Sequence, residues 1–160
     1  MIEKAVRSNM QSVFTDCPHR EKLGWLEQVH LNGPGLLYNY DLTAYAPQIM
    51  QNMVDAQHSN GAMPTTAPEY VIFEGPGMDA FAESPEWGGS LVIFPFMYYE
   101  TYGDDSLIKK YYPNMRRYVD YLKTRADKGI LSFGLGDWYD YVRDSHGIHP
   151  FLWWLLRIIT

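Results

Sequence analysis

A single cysteine, Cys17, stands among the 160 residues, so no internal disulfide can form; the chain requires no oxidising compartment and excludes none. Basic residues are also few. Thirteen Lys plus Arg against nineteen Asp plus Glu leave a formal charge of -6. No basic block is present to follow a phosphate backbone or an anionic bilayer, and neither a nucleic-acid nor a membrane partner is expected. Long hydrophobic runs are missing as well. The stretch 151–160, interrupted by Arg157, falls far short of the ~20 apolar residues of a membrane span. The start, Met1-Ile2-Glu3-Lys4-Ala5-Val6-Arg7, lacks the apolar centre of a secretory signal. As written, the chain is expected to stay in the compartment where it is made, whereas a longer parent could be periplasmic or secreted. What is abundant is aromatic: seven Phe, five Trp and thirteen Tyr, 16% of the chain. Core packing accounts for most of them, but flat rings beside carboxylates also line carbohydrate clefts.

Strand alternation is nearly absent, and no short repeat of the tetratricopeptide or ankyrin type is visible. Ile2, Val6 and Met10 recur every four residues and predict the tail of an amphipathic helix over 1–13. The polar segment from Phe14 to Gly24 predicts an ordered loop, followed by a short helix from Leu23 or Trp25 to Leu31 that Asn32-Gly33-Pro34-Gly35 stops. A long helical stretch is expected from Leu36 to about Gln57, divided by Pro47 and ended by His58-Ser59-Asn60-Gly61. Residues 62–87 hold four prolines and no helical period, and a loop of that length in a compact domain is usually functional. The run from Trp87 to Tyr102, apolar almost all round, predicts a buried helix broken or kinked near Pro95 and ended by Gly103. Asp104-Asp105-Ser106 opens a short helix and Pro113 a second, which Gly129 ends; Ile130 to Phe133 suit a short strand. The sum is an all-α arrangement of antiparallel hairpins, with long Pro/Gly loops alternating with short ones.

The densest constellation is Thr15-Asp16-Cys17-Pro18-His19-Arg20-Glu21-Lys22-Leu23-Gly24-Trp25-Leu26-Glu27-Gln28, with carboxylates, an Arg, a His and a Trp between turn residues. Read by itself it is a charged, solvated loop leading into a helix whose dipole favours Glu27. Its order and spacing, however, closely resemble the signature of the bacterial α-L-rhamnosidases of glycoside hydrolase family 78: Asp-Cys-Pro, a polar residue, Arg, Glu and then Gly-Trp. The resemblance continues in Tyr38-Asn39-Tyr40-Asp41, Ala67-Pro68-Glu69-Tyr70, Ser84-Pro85-Glu86-Trp87-Gly88, Tyr112-Pro113 with Arg117-Tyr118-Val119-Asp120-Tyr121-Leu122, and Gly134-Leu135-Gly136-Asp137-Trp138. It implies an (α/α)6 toroid, the six-hairpin glycosidase fold, of which this chain supplies about half of the helical hairpins. It also implies hydrolysis of terminal, non-reducing α-L-rhamnose from glycosides or polysaccharides, with inversion.

An inverting glycosidase needs a protonated carboxyl for the leaving oxygen and a second carboxylate, ~6.5–9.5 Å away, to activate water. By the resemblance Glu21 is the general acid, with Asp16 and Glu27 as the like charges that keep it protonated, and Arg20 turned toward another carboxylate or the sugar. Asp16 suits vicinal sugar hydroxyls, because a carboxylate can accept from both. Trp25 and Trp87 are candidate platforms for the deoxysugar, core packing being the alternative for each; Asp137 and Trp138 add to the same rim on the same terms. Many members carry a further sugar-binding Asp just after Gly-Trp. Here Leu26-Glu27-Gln28 occupies those places, so either Glu27 substitutes with a longer reach or Gln28 keeps the hydrogen bonding without charge. Glu69, Glu74, Glu83 and Glu86 line the cleft or simply a solvated loop. The family's general base is a Glu beyond the matched region, and no residue here takes that part.

The five histidines, His19, His30, His58, His146 and His149, are too scattered for zinc, and no Gly-rich phosphate loop or Gly-x-Ser-x-Gly elbow is present, so neither metal nor cofactor is expected. The expected partner is a rhamnose-containing carbohydrate. Residues 1–141 are expected to form the N-terminal part of the catalytic domain and 142–160 a divergent apolar tail, as a truncated or frame-shifted gene would produce. Negligible hydrolysis is expected of this chain alone. The rival readings are another six-hairpin glycosidase and an inactive carbohydrate-binding fragment.

Overall fold

The computed structural model describes residues 2–136, which are helical; among them β-pairing is limited to isolated bridges. The elements are α1 (Ile2–Asn9), α2 (Glu27–Leu31), α3 (Gly33–Asn39), α4 (Ala46–Ala56), α5 (Asp79–Ala82), α6 (Pro85–Gly88), α7 (Ser90–Tyr102) and α8 (Ser106–Arg125). The described residues adopt the expected all-α class.

Helix α7 is the centre, packed against α2, α3, α4, α6 and α8. Leu91, Val92 and Phe94 are fully buried, and Ile93 and Tyr98 nearly so, as an all-round apolar helix requires. It runs unbroken through Pro95 and ends at Gly103, which takes φ +69° and donates its N–H to the Tyr99 carbonyl at 2.8 Å.

Helix α8 corrects the expectation of two helices divided at Pro113: it is one helix of 20 residues with Pro113 inside. Pro113 and Lys109, whose carbonyl loses its partner, both face solvent, so water can take the freed group. The buried stripe Leu107, Tyr111, Met115, Tyr118 and Leu122 runs down both halves and holds them on the core.

Three prolines start helices rather than stopping them. Asn32-Gly33-Pro34-Gly35 ends α2, as expected, but Pro34 lies in the first turn of α3; Pro47 likewise opens α4, and Pro85 opens α6. The expected helix 36–57 is therefore two, separated by an Asx turn in which Asp41 Oδ1 accepts the Thr43 N–H at 2.9 Å. The first predicted helix stops at Asn9, and the second starts at Glu27 because Leu23 and Trp25 are bridged to Asp16 and Thr66. Gly61 caps no helix: α4 ends at Ala56, and Gly61, at φ +96°, lets the chain pass α8, where an added Cβ would stand 2.7 Å from the Arg117 carbonyl oxygen. The stretch expected to lack helix holds the single turns α5 and α6. No strand forms over Ile130 to Phe133; only the bridge Asp127–Ile130 closes there.

Candidate active site

The motif segment is a closed loop. Its entry is pinned by Thr15, whose N–H and hydroxyl donate to Asn9 O and Oδ1 at 3.1 and 2.8 Å. Asp16 N–H donates to Leu23 O at 2.9 Å, which closes the loop's base. Between them Cys17 and Lys22 adopt left-handed φ values of +47° and +57°. The Cys17 carbonyl accepts from the N–H groups of Arg20 (2.8 Å) and Lys22 (3.3 Å). This fold-back brings Asp16, Cys17 and Glu21 together, with their donor atoms all within 4.8 Å of one another.

The exit is pinned to the core. Ala67 N–H donates to Gly24 O and Leu26 N–H to Thr65 O, both at 2.9 Å, so residues 24–26 run antiparallel to 65–67. A Cβ on Gly24 would lie 2.5 Å from the Ala67 carbonyl oxygen, which leaves room for glycine alone. Below, the Ser90 hydroxyl donates to Leu26 O and meets His30 Nδ1, each at 2.5 Å. Burial pushes His30 down to about 4, so it is neutral at pH 7 and acts as a structural partner of Ser90.

Glu21 differs from the expectation. Arg20 Nε and Nη2 reach its Oε1 at 2.9 and 2.8 Å, so Arg20 points at Glu21 instead of away from it. The Cys17 thiol, then Arg20, hold the Glu21 carboxyl below its ordinary value, while the same hydrogen bond to Glu21 raises Cys17. The carboxylate is thus stabilised in its charged form, the reverse of a retained proton. Arg20 also donates to Cys17 Sγ at 3.5 Å. A fixed guanidinium among three metal-capable groups, with the thiol held protonated, disfavours a cation there, and no metal is assigned.

The other predicted residues divide. Asp16, partly buried, and Gln28, on α2, both line a groove of about 930 Å³ between α1, the motif loop and α3, together with Asn32 and Tyr40. Gln28 Oε1 accepts from Asn32 Nδ2 at 2.7 Å. Neither Glu21 nor Trp25 lines that groove. Glu27 is partly buried in the first turn of α2. Trp25 is half-buried, with one face stacked on Phe73 (centroids 5.4 Å apart, planes at 29°) and Trp87 edge-on at 6.3 Å. Trp87 is corrected from platform to core: at 3% exposure it offers no ring face and packs beneath Trp25. Asp137 and Trp138, like the tail 142–160, lie outside the described residues.

Of the four glutamates of the long loop, Glu74 is exposed and Glu69, Glu83 and Glu86 are engaged. His58 Nε2 pairs with Glu69 at 3.0 Å and its Nδ1 faces Glu83 at 3.6 Å. Glu83 accepts from the Tyr121 hydroxyl, onto which Arg125 donates at 3.0 Å. Glu86 is buried beneath the segment 134–136. Sequence reasoning missed Phe73, whose only signal was an aromatic inside a Pro/Gly loop. It also missed the joining role of His58, which a search for metal spacing passes over.

Packed helices, with the carboxylate-bearing motif loop beside a groove, fit the class of the six-hairpin glycosidases. Residues 1–150 match the family model described as the bacterial alpha-L-rhamnosidase 6 hairpin glycosidase domain, and the chain belongs to that family. An α-L-rhamnosidase of Formosa agariphila is 34% identical over 136 residues, covering 81% of this chain and 14% of that protein. One from Streptomyces avermitilis is 32% identical over 135 residues, covering 82% and 12%. Two solved structures superpose with a TM-score of 0.74 over 86% of this chain: the Streptomyces avermitilis α-L-rhamnosidase complexed with L-rhamnose, at 28% identity and 13% of its length, and the α-L-rhamnosidase of Dictyoglumus thermophilum, at 26% and 15%. The chain therefore spans about a seventh of the length of these relatives and carries part of the toroid.

Proposed function

We propose that this chain carries the acid side of an α-L-rhamnosidase site, for hydrolysis of terminal α-L-rhamnose with inversion. Glu21 is the proton donor to the departing oxygen, Asp16 takes sugar hydroxyls, Trp25 offers a ring, and Gln28 and Glu27 extend the polar wall; the general base is contributed from outside this chain. The observation that carries the reading is the loop's fold-back, which sets the Asp16 and Glu21 carboxylates within 4.8 Å of each other beside the groove. A relative captured with L-rhamnose supports the sugar. Residues 1–141 are the catalytic-domain part in this reading and 142–160 a divergent tail.

The pairing of Glu21 with Arg20 sets a condition on the acid role. Arg20 must leave Glu21 when substrate binds, for a sugar hydroxyl or for Asp16, so that Glu21 can take up the proton it delivers. That same pairing favours a second reading, in which the chain binds sugar without turning it over. Calorimetric titration of the 160-residue chain with L-rhamnose, and with D-glucose and L-fucose as controls, tests the sugar; Asp16→Asn is expected to weaken L-rhamnose binding about tenfold or more. Turnover of an aryl α-L-rhamnoside by this chain is expected to be negligible. In a full-length family member carrying this segment, Glu21→Gln is expected to lower kcat by several powers of ten with a poor leaving group and by less with a good one. Equal losses with both would remove Glu21 from the acid role.

A further inference from the structure

His58 stands just past the end of α4, and its ring lies between the two ends of the long loop. Its Nε2 is 3.0 Å from Glu69 Oε2, at the loop's entrance, and its Nδ1 is 3.6 Å from Glu83 Oε1, at the exit. The two carboxylate side chains are only 23% and 24% exposed, so salt screens them less than it screens a surface pair. Beside them Thr65 closes the neck, its N–H donating to Ala82 O at 3.2 Å and its hydroxyl to Phe81 O. Beyond the neck the loop is thinly held. Of residues 70–77 Phe73 alone is not exposed: its ring stacks on Trp25 and tilts against Phe81, with centroids 6.0 Å apart. Gly75 and Gly77 take φ +116° and +80°, and a Cβ on either would meet nothing within 4 Å. Phe73 is therefore the anchor of the loop body.

Both ring nitrogens of His58 face carboxylates, which accept and do not donate. A neutral imidazole has one N–H and serves only one of them, with its other lone pair turned on a carboxylate; the imidazolium has two and serves both. The other groups at this place come from α8. Arg117 Nη2 donates to the His58 carbonyl at 3.0 Å, the Tyr121 hydroxyl donates to Glu83 Oε2, and Arg125 Nη1 lies 3.7 Å from that same oxygen. Glu83 is thus held by α8 whatever the charge of the histidine, while Glu69 is joined to it through His58. We propose that His58 is a proton-operated clip at the neck of the long loop: charged, it ties Glu69 to Glu83 and keeps Phe73 on the Trp25 indole; neutral, it loses Glu83 and lets the loop body leave the indole more often. Histidine changes charge between about pH 5 and 8, so the indole face is more covered on the acid side of that window than on the alkaline side. The clip stands on the loop and Trp25 alone and holds whether or not the indole serves a sugar.

The test uses the 160-residue chain, with the Trp25 indole N–H and the His58 ring followed by NMR from about pH 8 to about pH 5.5, across the range in which histidine charges. Phe73→Ala supplies the position of the indole resonance when the face is bare. On acidification the ratio of covered to bare indole is expected to rise about fivefold, the upper end of what partly exposed ion pairs supply, along the same curve as the His58 ring. Loss of stability through His30 runs the other way on acidification and cannot produce that rise. His58→Gln is expected to abolish the pH dependence, and Glu69→Gln, at a partly exposed position, to cut it to under about twofold. An indole resonance that stays still over this range in the parent, that moves apart from the His58 curve, or that moves undiminished in Glu69→Gln or in folded His58→Gln would overturn the clip.

Discussion

The motif loop of residues 14–23 and helix α7 are held in place in opposite ways. The loop exposes its charges: the side chains of Arg20 and Glu21 are 69% and 31% exposed, and two of its residues sit in left-handed backbone. Beyond Phe14, which is buried in the core, what holds it is a handful of hydrogen bonds and one ion pair. Its neighbour α1 buries no residue fully. Helix α7 carries no charge until Glu100 and buries seven residues against five other helices. The chemistry-bearing groups therefore contribute little to stability, while the residues that set stability carry no chemistry. The segment Trp25-Leu26 joins the two: the Leu26 carbonyl accepts from Ser90 of α7, and the Trp25 indole lies against Trp87.

Phe94→Ala in α7 empties a fully buried position and is expected to cost about 3–5 kcal/mol in chemical denaturation. A loss below about 1 kcal/mol would mean that α7 is not the core. Acid titration should act next. His30 falls from 6.5 in the unfolded chain to about 4 in the folded one, so the unfolded state binds the extra proton between these values. The His30 contribution should be constant above about pH 7, then fall as pH drops through 6.5 toward 4, by about 3 kcal/mol in all. Persistence of that slope in Ser90→Ala/His30→Gln would assign it to other groups.

Gly24→Ala, pressed against the Ala67 carbonyl, is expected to cost about 2 kcal/mol and to shift Trp25 fluorescence, because the pairing that carries the indole must move. At the small end, Arg20→Ala should leave the melting temperature unchanged. Its effect should appear in the Glu21 carboxyl, whose titration followed by carbon NMR moves up toward the ordinary range while the Cys17 hydrogen bond still holds it partly down. A large stability loss in Arg20→Ala would erase the distinction between the two regions.

Helix type and the composition of the core were legible because they depend on local rules. Apolar residues all round Leu91–Tyr98 demand burial, and four-residue spacing in 2–10 demands an amphipathic helix. Proline was legible as a boundary but not in its sense. Pro34 and Pro47 begin helices, and Pro113 lies within one, because whether a missing N–H matters depends on what stands four residues earlier and whether water reaches it. Within the candidate site, the motif names Asp16 and Gln28, which share one groove wall, and Trp25, which lies outside that groove. The orientation of Arg20 and the burial of Trp87 do not follow from it, since a side chain's direction and the ring above it are not encoded in spacing.

The chain's amino acids alone determined its family, its all-α class and the identity of the loop that carries carboxylates, because those are properties of residue type and order. The tertiary structure decided which groups meet. It put Arg20 on Glu21, sank Trp87 under Trp25, joined His58 to two carboxylates and closed Ser84 and Glu86 on Leu135 and Gly136. These are contacts between residues that are distant in sequence or free to rotate, and their energies appear only once the backbone has fixed their separation.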